Sequence, residues 1–177
     1  MKRLAFLILA SLNISILWIS SSNAEISSTR NFYSYSEQLL TSGQPSEERL
    51  KNISKDGVEV VINLVPPSEM VYNENEGKIL QSQGVEYIHI PVNWRSPKKV
   101  KLDKFLSEME RVKGKKVLIH CWSNARASAF AYAFRVSQSP KSQSKEWDRL
   151  RKVWTNVAGY DLDDDQVWQK YLRINMK

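Results

Sequence analysis

The sequence predicts one α/β domain built on a central, mainly parallel sheet of about four to five strands flanked by helices. Three observations predict it. Short runs rich in β-branched residues, at positions 58–64, 85–92 and 117–120, alternate with stretches whose apolar residues recur at helical spacing. Gly57, Gly84 and Gly114 each stand just past a predicted helix, where a chain must turn back toward the sheet. Once the first two dozen residues are set aside, about 150 residues remain, enough for one compact core.

Those first residues read as an export signal. Lys2 and Arg3 form a positive start, positions 4–19 are largely apolar, and Ser22, Asn23 and Ala24 offer a small-residue cleavage site. Cleavage after Ala24 would begin the mature chain at Glu25. The rival reading is an uncleaved anchor, but the apolar stretch is short for a span and carries Ser11, Asn13 and Ser15. No cysteine follows it, which excludes a bacterial lipoprotein anchor. The expected location is therefore the bacterial periplasm, with no stable membrane anchor.

The division expected is 1–24 as signal, 25–38 as a loose, serine-rich amino-terminal arm and 39–177 as the domain. Positions 39–42 read as a short strand leading into Gly43 and Gln44. Ser46 is a candidate N-cap, with Glu47 and Glu48 in the first turn of a helix that Gly57 stops. Positions 58–64 form a strand broken by Pro66 and Pro67. Positions 74–83 form a helix, 85–92 a strand and 93–97 a loop. Leu102, Phe105, Leu106, Met109 and Val112 mark one helical face, and 117–120 is the next strand. After the helix at 127–136, two further helical stretches carry Trp147, Leu150 and Trp154, then Trp168, Tyr171 and Leu172, which read as core. The acidic cluster from Asp161 to Asp165 lacks the spacing and glycine of an EF-hand and reads as a helix cap.

The chain carries a formal net charge of +7, two histidines and one cysteine. Its acids and bases are interleaved, and the two dense lysine clusters, at 98–101 and 113–116, fall at element ends. Nucleic-acid binding is therefore not expected, whereas an anionic partner is. So few histidines and cysteines exclude a tetrahedral zinc site, and no metal or cofactor is expected. A single cysteine cannot close an internal disulfide. In an oxidising compartment such a thiol is either buried and inert or used.

Its setting points to use. Cys121 ends the strand at 117–120, His120 precedes it, Arg126 follows, and a helix opens just beyond. A strand, a tight loop and a helix N-terminus make an anion-binding site whose field also favours a thiolate. In a parallel sheet ligands sit beyond the carboxyl ends of the strands. That rule gathers Gln44, the loop after position 64, Asn93 and Trp94, and Cys121 on one rim. Gln44 is a candidate to orient water or an anion, or to hold a turn. Trp94 and Trp122 are candidates for an aromatic wall, or for packing at the sheet edge.

In this order of segments the chain resembles the cysteine-dependent phosphatase superfamily, the tyrosine and dual-specificity phosphatases, and within it an atypical bacterial branch labelled phosphatase-like or sulfur-transferase-like. The carriers are positions 41–46, 60–64, 88–92 and 117–121 together with Arg126. The resemblance implies a cysteine-phosphatase fold, with Cys121 as nucleophile and Arg126 as a bidentate anion clamp. It implies that Trp122, Ser123, Asn124 and Ala125 form the anion-binding loop, that His120 braces that loop, and that Ser128 assists the leaving thiolate.

Two departures qualify the chemistry. Phosphatases of this superfamily place five residues between cysteine and arginine, and four stand here, the loop size of rhodanese-like sulfurtransferases. The loop also lacks their glycine, so Asn124 is expected to take the left-handed conformation. The general acid is the second departure. The loop at 93–97 holds no carboxylate, and Glu69, after the prolines, is the best substitute. The function expected is cysteine-dependent phosphate monoester hydrolysis of weak or atypical activity. The alternatives are a persulfide-forming sulfurtransferase on the same fold and a non-catalytic anion- or protein-binding module.

Overall fold

The computed structural model describes residues 26–175, so the expected signal segment at 1–24 lies outside the described residues. Five strands form one sheet. They are β1 (Tyr33–Ser34), β2 (Leu39–Ser42), β3 (Val60–Asn63), β4 (Glu86–His89) and β5 (Val117–His120). Their spatial order is β1-β2-β5-β3-β4, with β1 antiparallel to β2 and every other pairing parallel. The α/β class and mainly parallel sheet expected from the sequence are what the structure contains.

Helices cover both faces. They are α1 (Glu47–Leu50), α2 (Glu76–Gln81), α3 (Lys99–Arg111), α4 (Ala125–Gln138), α5 (Gln143–Val153) and α6 (Gln166–Asn175). Ser46 caps α1 as expected, its Oγ accepting from the Arg49 N–H at 3.1 Å. The helix predicted to run on to Gly57 instead breaks into α1 and a 3₁₀ turn (Ile53–Asp56), which Gly57 closes at φ 74°. Asp165 caps α6 by accepting from the Trp168 N–H at 2.9 Å. Among the described residues no helix is long and apolar enough to cross a membrane.

The period-two alternation of strands divides the core. Leu40, Val61 and Leu118 face a smaller cluster with Leu50, Ile53 and Leu80 from the α1–α2 side. Leu39, Val60, Ile62, Val117 and Ile119 face the larger cluster, where α3, α4, α6 and the π-helical turn after α5 (Trp154–Ala158) bring Phe105, Phe130, Trp168 and Trp154. Trp154 and Trp168 are fully buried, so the reading of these aromatics as core holds. Each such ring removes roughly 150–250 Å² from water, on the order of 4–6 kcal/mol of transfer free energy before ordering costs.

The arm expected to be loose is docked. Ile26 is buried among Leu40, Leu50 and Leu118, and Tyr33–Ser34 pairs with β2. One buried isoleucine and a short strand escape notice in a serine-rich stretch, because neither is long enough to show a period.

Candidate active site

The carboxyl ends of the parallel strands form one rung, Ser42, His120, Asn63 and His89, set by the register of β2, β5, β3 and β4. Alternation then decides which way each chemical group points. Val117, Ile119 and Cys121 belong to the larger core face, while Leu118 belongs to the smaller one. His120 therefore points to the face opposite Cys121. There its Nε2 lies 2.6 Å from Glu76 Oε1, both side chains fully buried. A carboxylate only accepts, so Nε2 carries the proton.

Glu76 sits at the start of α2 and also accepts from Gln44 Nε2 at 3.0 Å and Asn63 Nδ2 at 3.2 Å. Burial on its own would raise its pKa, but the attraction and hydrogen bond of His120 and the hydrogen bond of Gln44 outweigh burial and hold it below the usual carboxylate range. Asn63 is fixed in turn, since its Oδ1 accepts from the Val65 N–H at 2.7 Å. Gln44 thus serves the support beneath the loop. His120 braces from behind the sheet, through the backbone it shares with Cys121.

The loop between Cys121 and α4 is held by its outward carbonyls. Trp122 O accepts from the Gln44 N–H at 3.0 Å, and Ser123 O accepts from Asn31 Nδ2 at 3.0 Å. In a trans peptide the N–H opposes the carbonyl, so the Ser123 N–H is turned away from the Gly43 side. Asn124 takes φ 79°, the left-handed conformation expected of it, and its Nδ2 donates to Asn31 O at 2.7 Å. Asn31 itself has φ 51°, so two asparagines clasp each other across the loop. Ser128 Oγ lies 2.8 Å from Asn124 O and 3.0 Å from Ala125 O, tying the first turn of α4 to the loop. Trp154 Nε1 donates to Ala125 O at 3.1 Å and fixes the same turn from the core.

Gly43 lets the two loops touch. A Cβ there would stand 2.8 Å from Trp122 O and 3.1 Å from Arg30 O, both backbone atoms. Gly43→Ala is expected to destabilise the protein by about 1–3 kcal/mol, as other overpacked sites do. It is also expected to lower turnover by shifting Trp122. Denaturant melts and a rate assay on the purified variant check both effects.

Arg126 is almost fully buried, and Glu69 grips it on both oxygens. Nη1 donates to Glu69 Oε1 and Nη2 to Oε2, each at 2.6 Å, and Nη1 also donates to Val92 O at 2.9 Å. Burial alone would lower the arginine pKa, but the Glu69 hydrogen bond and the nearby Cys121 raise it above the ordinary value. Both Nη1 hydrogens and one Nη2 hydrogen are used, which leaves Nε–H and the second Nη2 hydrogen as a free fork. Arg126 and Cys121 line the same cavity. Glu69 lies at the site, but with both oxygens accepting it has no proton to give in this arrangement.

Cys121 and Arg126 line a cavity of about 340 Å³. Trp94, Trp122 and Tyr160 line it as well, together with Glu69 and Arg95. Trp94 stacks on Trp154 at 5.6 Å and meets Tyr160 at 5.3 Å, and its carbonyl accepts from Trp168 Nε1 at 3.1 Å. Trp94 and Trp122 are thus both brought to the pocket. Asn93 is not, because its side chain is exposed and its Oδ1 instead accepts from the Arg95 and Ser96 N–H groups.

Sequence reasoning missed Glu76, Asn31 and Tyr160. An acid in a first helical turn carries the common reading of a dipole partner, which hid Glu76. Nothing in a polar arm or a loop after a helix marks the other two.

No family model matches the sequence, and no curated protein matches it. Solved structures do. A candidate phosphatase (DUF442) from Shewanella putrefaciens CN-32 is 33% identical and superposes with a TM-score of 0.73, covering 86% of this chain and 92% of that one. Tk-PTP, solved in its active form, is 24% identical with a TM-score of 0.63 over 78% of this chain and 91% of that one. Pseudomonas aeruginosa TpbA is 18% identical with a TM-score of 0.64 over 81% and 84%. The latter two share the fold. With one-third identity over nearly the whole Shewanella protein, this chain belongs to that DUF442 family, and its fold is that of the cysteine-dependent tyrosine and dual-specificity phosphatases.

Proposed function

We propose that the protein is a phosphatase in which Cys121 attacks the phosphorus of a phosphorylated substrate. Arg126, gripped by Glu69 and lining one cavity with Cys121, is the single observation that carries this reading, because its Nε–H and second Nη2 hydrogen are not spent on Glu69 or Val92. A planar fork matches two oxygens of a phosphoryl group and strengthens as charge spreads over them in the transition state. The Ser123 N–H and the start of α4 add donors on the same loop. In the first step the Sγ–P bond forms and the P–O bond to the leaving group breaks, its electron pair leaving with the oxygen. In the second, water attacks phosphorus, the thiolate departs and the surplus water proton passes to solvent.

Glu69 acts in this reading as a positioning residue for Arg126 and not as the proton donor. His120 and Ser128 keep the loop in shape, His120 through Glu76 and Ser128 through the Asn124 and Ala125 carbonyls. An aryl phosphate tests the proposal. Release of the phenol by the wild-type protein, absent in Cys121→Ser, is expected near neutral pH. Equal rates for the two proteins would refute it.

One observation favours a second reading. Four residues separate Cys121 from Arg126, a small loop that suits transfer of a single sulfur atom. Cys121 would then take the outer sulfur of thiosulfate as a persulfide and release sulfite. Mass spectrometry after thiosulfate treatment decides, since an unmodified Cys121 removes this alternative.

A further inference from the structure

We propose that Arg95 is a second anion contact at the mouth of the cavity, and that the protein cleaves phosphoanhydrides, where the leaving group is itself a phosphate. The inference rests on the phosphatase reading and names its substrate class. Proton supply is the first consideration. A leaving alkoxide needs a proton, and losing a general acid costs about two to four orders of magnitude. The one carboxylate lining the cavity, Glu69, has both oxygens committed to Arg126. A phosphate leaving group is already a stable anion and departs without a proton.

Charge is the second consideration. The strand-end loop that lacks an acid presents a guanidinium instead, and among the described residues no carboxylate pairs with it. Its backbone is fixed. Asn93 Oδ1 accepts from the Arg95 N–H at 2.9 Å, and the neighbouring Trp94 is pinned through its carbonyl by Trp168. Arg95 is exposed where it lines the cavity, and Arg126 lines the same cavity together with Cys121. Two cations along one cavity suit two linked phosphates, one under attack and one leaving. Sγ attacks the terminal phosphorus, the bridging P–O bond breaks, and its electron pair leaves on the released phosphate beside Arg95. Water then hydrolyses the thiophosphate, returning the thiolate and releasing orthophosphate and a proton.

The experiment uses the purified protein with inorganic tripolyphosphate, p-nitrophenyl phosphate and glycerol 3-phosphate, with Cys121→Ser as the blank. Wild type is expected to cleave the first two and to leave glycerol 3-phosphate at the blank. Arg95→Ala is expected to lower the tripolyphosphate to p-nitrophenyl phosphate ratio of kcat/KM by about tenfold, the worth of one charge-assisted hydrogen bond. Arg95→Lys should retain most of that ratio. An unchanged ratio in Arg95→Ala, or glycerol 3-phosphate cleaved as fast as tripolyphosphate, overturns this inference alone. Failure of wild type to cleave p-nitrophenyl phosphate overturns the phosphatase reading and this inference with it.

Discussion

Replacing Arg126 by lysine is expected to lower kcat/KM for aryl phosphates by about two to three orders of magnitude, the loss seen when a transition-state donor is removed. Lysine keeps the charge but offers a point donor where the site needs a fork. In the native protein one edge of the guanidinium is spent on Glu69 and Val92, so that the other edge is aimed. An ammonium has no second edge to aim. Its three N–H groups radiate from one nitrogen, so once one is given to Glu69 the other two cannot form the planar pair of donors that a phosphoryl group meets.

The same variant separates the two roles open to Glu69. If Glu69 acts only by aiming Arg126, then adding Glu69→Gln to Arg126→Lys costs little more than the lysine alone. A proton donor would contribute independently, and its loss would multiply the first. Steady-state rates of the two single variants and the double variant measure this coupling. A multiplicative loss would return Glu69 to the part of general acid.

Glu76→Ala is expected to destabilise the fold by about 3–5 kcal/mol, the range found when one partner of a buried ionic pair is removed. Three side chains aim N–H groups at this carboxylate, and alanine would strand all of them. Glu76→Gln is the more telling change. His120 could still donate to its amide oxygen, but Gln44 and Asn63 would then meet an NH₂ instead of an acceptor. About 1–3 kcal/mol is the expected cost of that mismatch. Urea melts near neutral pH check both values, and an alanine variant within about 0.5 kcal/mol of wild type would show the pair to be dispensable.

The pH dependence follows from the direction of the Glu76 shift. Its pKa is lower in the folded chain than in the unfolded one. The stabilisation is therefore fully present above the ordinary carboxylate pKa of about 4.3 and is lost as pH falls through the lower folded value. Wild type should lose stability steeply on that acid limb, and Glu76→Gln should show a flatter one over the same range.

Legibility in the sequence followed the range of the interactions. The strand Val117–His120 coincides with its predicted bounds, because three β-branched or apolar residues and a histidine between a lysine run and the cysteine leave little freedom. The left-handed Asn124 was readable from the loop alone, since a turn of that size without glycine needs a residue that tolerates positive φ. The docked arm was not readable. Its clasp with Asn124 connects positions 93 apart, and no local pattern reports such a contact.

By itself, then, the sequence determined the α/β alternation, the cysteine and arginine on one strand–loop–helix joint, and the missing carboxylate in the loop at 93–97. These are local facts, written in periodicity and in the order of neighbouring residues. Only the tertiary structure decided what stands on either side of the joint. It put Glu76 under His120 from 44 positions away, and it set Glu69 on Arg126 from 57. Both are single acidic residues at helix starts or in loops, where composition assigns them to solvent. The physical reason is that a buried carboxylate is defined by which donors converge on it, and that convergence exists only once the strands have brought their carboxyl ends together.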